Sequence, residues 1–212
     1  MATRILIADD HAMVRKGLRM TLEMHDDLTV AGEAVNGRDA VAQAEALAPE
    51  VILMDISMPQ LNGIEATRLI CRRLPGVRVL IFSMHYSSEH CFRALSAGGR
   101  GFILKESAGE EVVTAVRSVM RGRLFFGAGV ANPLEKTGGG VLKSPLDSLS
   151  QREREIFQLV VEGKSSAEIA KLLLLSPKSI DTYRSRLMQK LGVTNLPSLV
   201  SFALQHGITP VR

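Results

Sequence analysis

Short apolar runs alternate with longer segments of mixed polarity throughout the first 126 residues. The runs are rich in Val, Ile and Leu, and they predict strands at about 4–8, 29–34, 51–55, 77–83 and 101–105. The segments between them predict helices at about 12–24, 37–47, 62–74, 87–97 and 108–122. Regular alternation of strand and helix favours an α/β domain built on a doubly wound, five-stranded parallel sheet.

The remainder of the chain shows a different pattern. Glycine and proline are frequent over 127–149, so this stretch is expected to be a flexible linker that contains the domain boundary. The signals beyond it are all helical and predict a small all-α domain of four helices. Capping boxes begin at Ser150 and Ser165, Ser176-Pro177 starts a helix that stops at Gly192, and a last helix runs from Asn195 to His206. Two helices joined by a tight turn indicate a helix-turn-helix, although a simple helical bundle has similar caps.

Composition limits the class of protein. A chain of 212 residues is long enough for two domains, and its 46% hydrophobic and 23% charged residues predict a soluble protein. No apolar run approaches the ~18 residues of a membrane span, and the first residues lack the apolar segment of a signal peptide. The two cysteines, Cys71 and Cys91, lack the spacing of metal ligands. We therefore expect a cytoplasmic protein with reduced thiols and no membrane partner.

Charge is distributed unevenly along the chain. Residues 1–126 contain equal numbers of acidic and basic side chains, so the formal net charge of +4 falls entirely on residues 127–212. A basic carboxyl-terminal module is compatible with binding to nucleic acid. Alone this is weak support, because a surplus of four charges is also ordinary for a soluble domain.

Polar residues stand where four of the predicted strands end. Asp9 and Asp10 follow the first strand, Asp55 closes the third, Ser83 closes the fourth and Lys105 closes the fifth. The carboxyl ends of parallel strands share one edge of a sheet, where ligand crevices form. We therefore expect these side chains to converge on one pocket.

The expected pocket suits phosphoryl transfer. Carboxylates are hard oxygen ligands for Mg²⁺, and three of them close together need a cation to offset their repulsion. We predict that Asp55 is the covalent phosphoryl acceptor, that Lys105 neutralises the transferred charge, and that Ser83 donates to a phosphoryl oxygen. Each residue also has an ordinary alternative, since Asp10 can cap a helix, Ser83 can lie in a turn, and Lys105 can be a solvated strand end.

Residues 1–126 resemble the receiver domain of response regulators. The resemblance is carried by Asp9-Asp10, Met54-Asp55-Ile56-Ser57-Met58-Pro59, Ser83 and Phe102-Ile103-Leu104-Lys105. It implies a flavodoxin-like strand order, phosphorylation of Asp55 by a sensor histidine kinase, and no enzymatic activity beyond the domain's own phosphoryl transfer and dephosphorylation. It also implies that Phe102 is an aromatic switch, which turns inward when Ser83 engages the phosphate. The implied cofactor is Mg²⁺, held by Asp10, Asp55 and the backbone carbonyl of Ser57, with Asp9 helping through water.

Residues 148–211 resemble a LuxR-type helix-turn-helix. The matching segments are Leu149-Ser150-Gln151-Arg152-Glu153-Arg154-Glu155, Glu162-Gly163-Lys164-Ser165, Glu168-Ile169-Ala170 and Met188-Gln189-Lys190-Leu191. Together the two parts resemble a transcriptional regulator of the NarL/FixJ family, with a receiver domain at 1–126, a linker at 127–147 and a DNA-binding domain at 148–212. The resemblance implies double-stranded DNA, a second copy of the chain and RNA polymerase as partners.

The third helix of the carboxyl-terminal domain is predicted to enter the major groove. An apolar stripe that includes Ile180, Leu187 and Leu191 is expected to face the core. Residues on another face are predicted to read base edges, and the residues flanking that face are predicted to contact phosphates. The first set is Lys178, Asp181, Thr182 and Ser185, and the second is Ser179, Tyr183, Arg184, Arg186 and Lys190. The alternatives are a solvated helix face and, for Asp181, a favourable interaction with the helix dipole.

The last helix is unusually apolar for a small domain. In the family that the chain resembles, the equivalent helix pairs two DNA-binding domains, and the residues assigned to this contact are Leu196, Leu199, Val200 and Ala203. A dimer is also expected because one short recognition helix reads too few bases for adequate specificity. The half-sites should then be inverted and about one helical turn apart.

Three rival functions are less consistent with the sequence than a phosphorylation-switched transcription factor. A Mg²⁺-dependent phosphohydrolase is disfavoured, because Asp9-Asp10-His11 lacks the Asp-x-Asp pattern of haloacid-dehalogenase-like phosphatases. A nucleotide sensor is disfavoured, because the first β–α turn has no Gly-rich phosphate loop. A regulator that acts without phosphate is disfavoured only because the whole acidic site is present.

Overall fold

A computed structural model describes residues 2–107, 109–133, 145–206 and 208. The chain divides into two compact units, of which the first holds a parallel sheet and the second holds the carboxyl-terminal helices. Among the described residues, no helix combines the length and the apolarity needed to cross a bilayer.

The sheet of the first unit has six parallel strands in the order β2-β1-β3-β4-β5-β6. The strands are β1 (Thr3–Ala8), β2 (Leu28–Ala34), β3 (Val51–Met54), β4 (Arg78–Ser83), β5 (Gly101–Leu104) and β6 (Phe125–Phe126). The first five confirm the predicted strands, but the predicted number of five is wrong by one. Strand β6 pairs with β5 and extends the sheet by two backbone hydrogen bonds. The Phe125 amide donates to the Arg100 carbonyl, and the Gly127 amide donates to the Phe102 carbonyl. Two residues are too few to produce a recognisable strand pattern in the sequence.

Five helices alternate with these strands: α1 (Ala12–Glu23), α2 (Gly37–Leu47), α3 (Gly63–Arg73), α4 (Ser88–Ser96) and α5 (Glu110–Met120). Helices α2, α3 and α4 begin at Asn36, Asn62 and Ser87, whose side chains each accept a backbone N–H of the first turn. A 3₁₀ turn at Lys105–Ser107 separates β5 from α5. The helices therefore begin and end close to the predicted limits.

Both faces of the sheet are buried, as expected for a doubly wound fold. One face packs against α1 and α5, and this core includes Ile7, Leu53, Phe82, Leu22 and Val116. Neighbouring residues of the same strands point to the opposite face and are equally buried, as Leu6, Ile52 and Ile81 show. The carboxyl edge of the sheet is thus a rigid frame for the residues that follow each strand.

The second unit is a small helical bundle. It contains a 3₁₀ turn (Pro145–Ser148) and the helices α6 (Gln151–Val161), α7 (Ser166–Leu173), α8 (Pro177–Leu191) and α9 (Leu196–Gln205). Both predicted capping boxes form, with Ser150 paired to Glu153 and Ser165 paired to Glu168. The core includes Phe157, Ile169, Ile180, Leu187 and Leu199, contributed by all four helices.

A tight turn joins α7 to α8. Helix α7 stops because Leu174 adopts a left-handed backbone conformation (φ 54°), with its side chain almost fully exposed. This conformation costs an L-residue about 1 kcal/mol. Helix α7 nevertheless packs closely against α8. The predicted helix-turn-helix is therefore present, with a strained residue at its turn.

The predicted linker at 127–147 lies partly outside the described residues, which stop at 133 and resume at 145. Residues before this gap pack on the first unit. Val130 is buried, and the Tyr86 hydroxyl donates to the Ala131 carbonyl at 3.2 Å. The domain limits of 1–126 and 148–212 stay predictions.

Cys71 and Cys91 are free thiols, as the sequence predicts. Burial raises the pKa of both side chains, that of Cys91 to about 12. Both thiols are therefore protonated at neutral pH, and Cys91 acts as a small apolar core residue.

Candidate functional sites

The ends of β1, β3 and β5 bring the predicted pocket together. Strands β1 and β3 pair with Ala8 opposite Met54, so the residues that follow them, Asp9 and Asp55, are neighbours at the carboxyl edge. The Asp55 amide donates to the Ala8 carbonyl at 2.8 Å, which fixes this register beyond the end of β3. Both carboxylates are buried, which is unusual for aspartate and requires charged or polar partners.

Lys105 is the main cationic partner of these carboxylates. Its Nζ lies 2.6 Å from Asp9 Oδ2 and 3.0 Å from Asp55 Oδ2, and its side chain is only 5% exposed. An ammonium bridging two buried carboxylates neutralises one of their two charges. The predicted convergence of Asp9, Asp55 and Lys105 is thus seen in the structure.

The positive charge of Lys105 does not fully compensate the negative charge of the buried Asp55 carboxylate. Burial raises the pKa of the Asp55 carboxyl, and Lys105 opposes this rise whereas Asp9 reinforces it. Burial acts to lower the pKa of Lys105, but the facing carboxylates of Asp55 and Asp9 outweigh it, so the pKa of Lys105 is raised. One ammonium therefore does not fully offset two buried carboxylates.

A second set of contacts completes a candidate cation site. Asp9, Asp10, His11 and Asp55 each offer a ligand atom, and these atoms all lie within 4.8 Å of one another. Three carboxylates suit a hard cation such as Mg²⁺. The negative charge that Lys105 leaves uncompensated around Asp55 favours binding of a cation. The donor set therefore fits the predicted cofactor.

His11 also belongs to this pocket, a position for which the sequence pattern indicates no role. Its Nδ1 lies 2.8 Å from Asp10 Oδ1 and 3.3 Å from Asp9 Oδ1, and its amide donates to Asp9 Oδ1 at 2.8 Å. The only signal in the sequence was its position directly after Asp10 at the end of β1.

The two predicted switch residues are both buried. The Ser83 hydroxyl at the end of β4 donates to the His85 carbonyl at 3.2 Å, within its own loop. Phe102 points inward from β5, and the Tyr86 ring packs edge-on against it with 6.2 Å between ring centroids. Ser83 must therefore exchange the His85 carbonyl for any phosphoryl oxygen that it binds.

Helix α8 presents most of the predicted DNA contacts to solvent. Ile180 and Leu187 face the core, as the apolar stripe predicts. The predicted contacts that are exposed are Lys178, Asp181, Thr182, Ser185, Arg186 and Lys190, and those that are partly buried are Ser179, Tyr183 and Arg184.

Partners on other helices of the domain, which no sequence pattern indicated, engage Asp181, Arg184 and Lys190. Asp181 Oδ1 accepts a hydrogen bond from the Ser166 hydroxyl at 2.7 Å. Lys190 Nζ lies 2.7 Å from Glu153 Oε2, which also caps α6. The predicted phosphate contact of Lys190 would thus compete with an ion pair within the domain.

Family models match both units of the chain. The response regulator receiver domain matches residues 5–117, and the bacterial regulatory proteins of the luxR family match residues 147–203. The chain belongs to the NarL/FixJ family of response regulators. Both models describe regulatory domains, and neither supports the rival reading as a phosphohydrolase.

Relatives of this response regulator match it over nearly their whole length. The transcriptional regulatory protein MctR of Rhizobium johnstonii is 38% identical over 205 residues, which cover 97% of this chain and 94% of MctR. The response regulator UvrY of Escherichia coli K12 is 36% identical over 211 residues, which cover 96% of this chain and 94% of UvrY. Among solved structures, RcsB of Salmonella enterica serovar Typhimurium, bound to a promoter with a phosphomimetic, is 29% identical with a TM-score of 0.60. That match covers 98% of this chain and all of the RcsB chain.

The structure corrects part of the predicted dimer contact of this response regulator. Leu199 and Ala203 are 1% and 0% exposed, because they face the core of their own domain. They are therefore unavailable to a second copy. Leu196 and Leu204 are instead 45% and 54% exposed, and Val200 lies between them on the same face of α9 at a spacing of four residues. We call Leu196, Val200 and Leu204 the outer stripe.

The ion pair between Glu153 and Lys190 predicts a pH-dependent contribution to stability. Burial acts to raise the pKa of Glu153, but Lys190 and the amide and hydroxyl of Ser150 outweigh it, so the pKa is lowered. A lowered pKa stabilises the fold above about pH 4.3, and this stabilisation is lost as the pH falls through the folded-state pKa. Glu153→Gln should therefore lower the free energy of unfolding at pH 7 by about 1 kcal/mol and have little effect in acid.

Hydrogen exchange of the α6 and α8 amides measures this loss in the full-length chain. Glu168→Gln is the matched control, because Glu168 occupies the same position in the second capping box but is exposed. Equal losses in the two variants, or a loss for Glu153→Gln that persists in acid, would show that the ion pair contributes nothing.

Proposed function

We propose that this response regulator accepts a phosphoryl group on Asp55 from a sensor histidine kinase and thereby gains sequence-specific affinity for DNA. The observation that carries the proposal is the buried Asp55 carboxylate, 3.0 Å from Lys105 and grouped with the carboxylates of Asp9 and Asp10. Family membership supports it, because the chain combines a receiver domain with a luxR-type domain.

The chemistry assigned to Asp55 is nucleophilic displacement at phosphorus. A carboxylate oxygen of Asp55 forms a bond to phosphorus while the bond from phosphorus to the donor nitrogen or oxygen breaks, and the donor leaves with that electron pair. Lys105 stands where charge accumulates on the transferred group, and its contacts with Asp9 and Asp55 keep it there. Water that attacks the phosphorus of the aspartyl phosphate would break its bond to Asp55 and release inorganic phosphate, and this hydrolysis is the only other catalysis that we assign to the chain.

Mg²⁺ is the cofactor that this donor set favours. Asp10, Asp55 and the Ser57 carbonyl would hold the ion, and Asp9 would contribute through water. When bound, the ion would supply positive charge to the phosphoryl oxygens. The Ser57 amide donates to Asp55, so the loop after β3 already orients the acceptor.

DNA binding is assigned to α8. Its exposed face carries Lys178, Asp181 and Ser185 for base edges, and basic side chains such as Arg186 flank it for phosphates. The solved DNA complexes of RcsB support DNA binding by a dimer, since one of them holds two RcsB dimers on two parallel DNAs and resembles this chain with a TM-score of 0.61. We infer that the active form is a homodimer that acts on RNA polymerase in the cytoplasm.

One experiment tests the proposal as a whole. The full-length chain is incubated with Mg²⁺ and acetyl phosphate, digested, and searched for an acid-stable, base-labile adduct on the peptide that contains Asp55. The treated protein is then added to a pool of randomised duplex DNA. We expect the adduct on Asp55 and stronger retention of selected sequences. An adduct elsewhere, or unchanged DNA retention, would overturn the proposal.

Ser83→Ala is predicted to separate phosphorylation from its consequence. A phosphoryl group shifts the population of states only through contacts that differ between them, and the Ser83 hydroxyl must leave the His85 carbonyl to make such a contact. The variant should accept phosphate on Asp55 but gain little DNA affinity. Retention of selected DNA before and after labelling measures the coupling, and Ser83→Thr, which keeps the hydroxyl, should behave as the wild type. Wild-type coupling in Ser83→Ala would remove Ser83 from the switch.

A further inference from the structure

Asp181 is the one acidic side chain on the exposed face of α8, and its position calls for an explanation. A carboxylate facing a polyanion lowers affinity unless it makes a specific contact. The helix dipole does not account for it, because Asp181 is the fifth residue of α8 and the dipole effect falls off within the first turn.

The structure gives Asp181 a partner on the preceding helix. Ser166, the first residue of α7, donates its hydroxyl to Asp181 Oδ1 at 2.7 Å. The same hydroxyl accepts a hydrogen bond from Arg184 Nη1 at 3.1 Å. A hydroxyl has one donor and two acceptor sites, so Ser166 can serve both partners at once. It thereby links an acid and a base that lie three residues apart on α8.

We propose that Ser166 is a positioning residue for sequence readout, which holds the Asp181 carboxylate where it accepts from the amino group of a cytosine. The inference rests on the proposed function of α8. An exposed aspartate samples several rotamers, whereas readout of one base edge needs a defined oxygen position. The Ser166 hydroxyl fixes one carboxylate oxygen and leaves the other free to accept from a base.

The backbone that carries Ser166 is held in place by its own contacts. Ser165 and Glu168 form a capping box that fixes the first turn of α7, where Ser166 lies. Ile169 of α7 and Ile180 of α8 are fully buried in the same core, so the two helices keep their spacing. The contact between Ser166 and Asp181 therefore joins two fixed backbones, and the side chains alone decide whether it forms.

The proposal makes Ser166 and Asp181 act as one unit. Asp181→Ala should relax base preference at one position of each half-site by roughly 10-fold and raise non-specific affinity, because a repelling charge is removed. Ser166→Ala should relax the same position to a similar extent without that rise, because the carboxylate remains. The double variant should lose no more preference than Asp181→Ala alone, since coupled residues are not additive. Ser166→Thr, which keeps the hydroxyl, should retain the wild-type preference.

The test uses the full-length protein, phosphorylated with acetyl phosphate and Mg²⁺, and a pool of randomised duplex DNA that is sequenced after selection. Ser165, the cap of α7, is kept in every variant, and thermal unfolding checks that each one is folded. The proposal stands if Ser166→Ala and Asp181→Ala relax the same position. It is overturned if Ser166→Ala keeps the wild-type preference, or if it weakens all sequences alike. A wild-type protein that selects no sequence would instead overturn the proposed function, and this inference with it.

Discussion

Asp55→Asn is expected to abolish phosphoryl labelling of the full-length response regulator. An amide lacks the nucleophilic carboxylate oxygen that forms the acyl phosphate, and no second aspartate shares the contact of Asp55 with both Lys105 and the Ser57 amide among the described residues. Labelling with acetyl phosphate and Mg²⁺ should therefore fall to background. Asp27→Asn is the matched control, since Asp27 is an exposed aspartate paired with Arg117 far along the chain. Labelling of Asp55→Asn at the wild-type rate would refute the assignment of the acceptor.

The same substitution is expected to stabilise the receiver domain at neutral pH in the absence of Mg²⁺. Burial raises the pKa of Asp55 in the folded state, so ionisation of this group opposes folding. The opposing effect appears as the pH rises through the unfolded-state pKa of about 4 and is complete above the folded-state pKa. Asn has no such charge, and the midpoint of thermal unfolding should rise by roughly 2–5 °C at pH 7.

Thermal unfolding at pH 7 and in acid checks both the size and the sign of this effect. The gain should shrink as the pH falls, because the wild-type carboxyl is then protonated in both states. A lower midpoint at pH 7 would mean that Lys105 compensates Asp55 fully. In that case the pocket would lack the negative charge that favours a cation.

The pocket was predictable because chain topology alone determines it. Residues that directly follow the strands of a parallel sheet must share its carboxyl edge, so Asp9, Asp55 and Lys105 could be assigned to one site before any contact was known. The pattern did not indicate the hydrogen bonds of His11 or the Ser166 contact of Asp181. These depend on side-chain rotamers and on helix packing, which periodicity does not specify.

The face of α9 that is buried shows a second limit of prediction from sequence patterns. Apolar residues surround this helix, so its sequence does not say which face meets the core. The four predicted contacts therefore mixed two faces, and only packing separated the buried Leu199 and Ala203 from the exposed Leu196. Strand β6 was missed for a related reason, since a two-residue strand is defined by its partner and not by its own pattern.

Leu204→Ser is expected to weaken dimerisation of the phosphorylated protein strongly. The outer stripe is the apolar face of α9 that its own domain leaves exposed, and the domain's core does not need Leu204. In a dimer with two-fold symmetry, one substitution removes two buried leucine side chains from the interface. Each contributes about 1.5 kcal/mol, so the dissociation constant should rise by roughly 100-fold.

Sedimentation of the labelled protein measures this change, and Leu174→Ser provides the control. Leu174 is the more exposed leucine at 92%, and it lies at the α7–α8 turn, away from α9 in the sequence. If association depends only on the exposed apolar surface in general, both Leu174→Ser and Leu204→Ser should weaken it. If the dimer forms through the outer stripe, only Leu204→Ser should weaken it. Leu199→Ser should instead unfold the domain, because that side chain belongs to the core. If the dissociation constant of the dimer is unchanged in Leu204→Ser, the interface does not involve α9. The two DNA-binding domains would then pair on the half-sites through another surface.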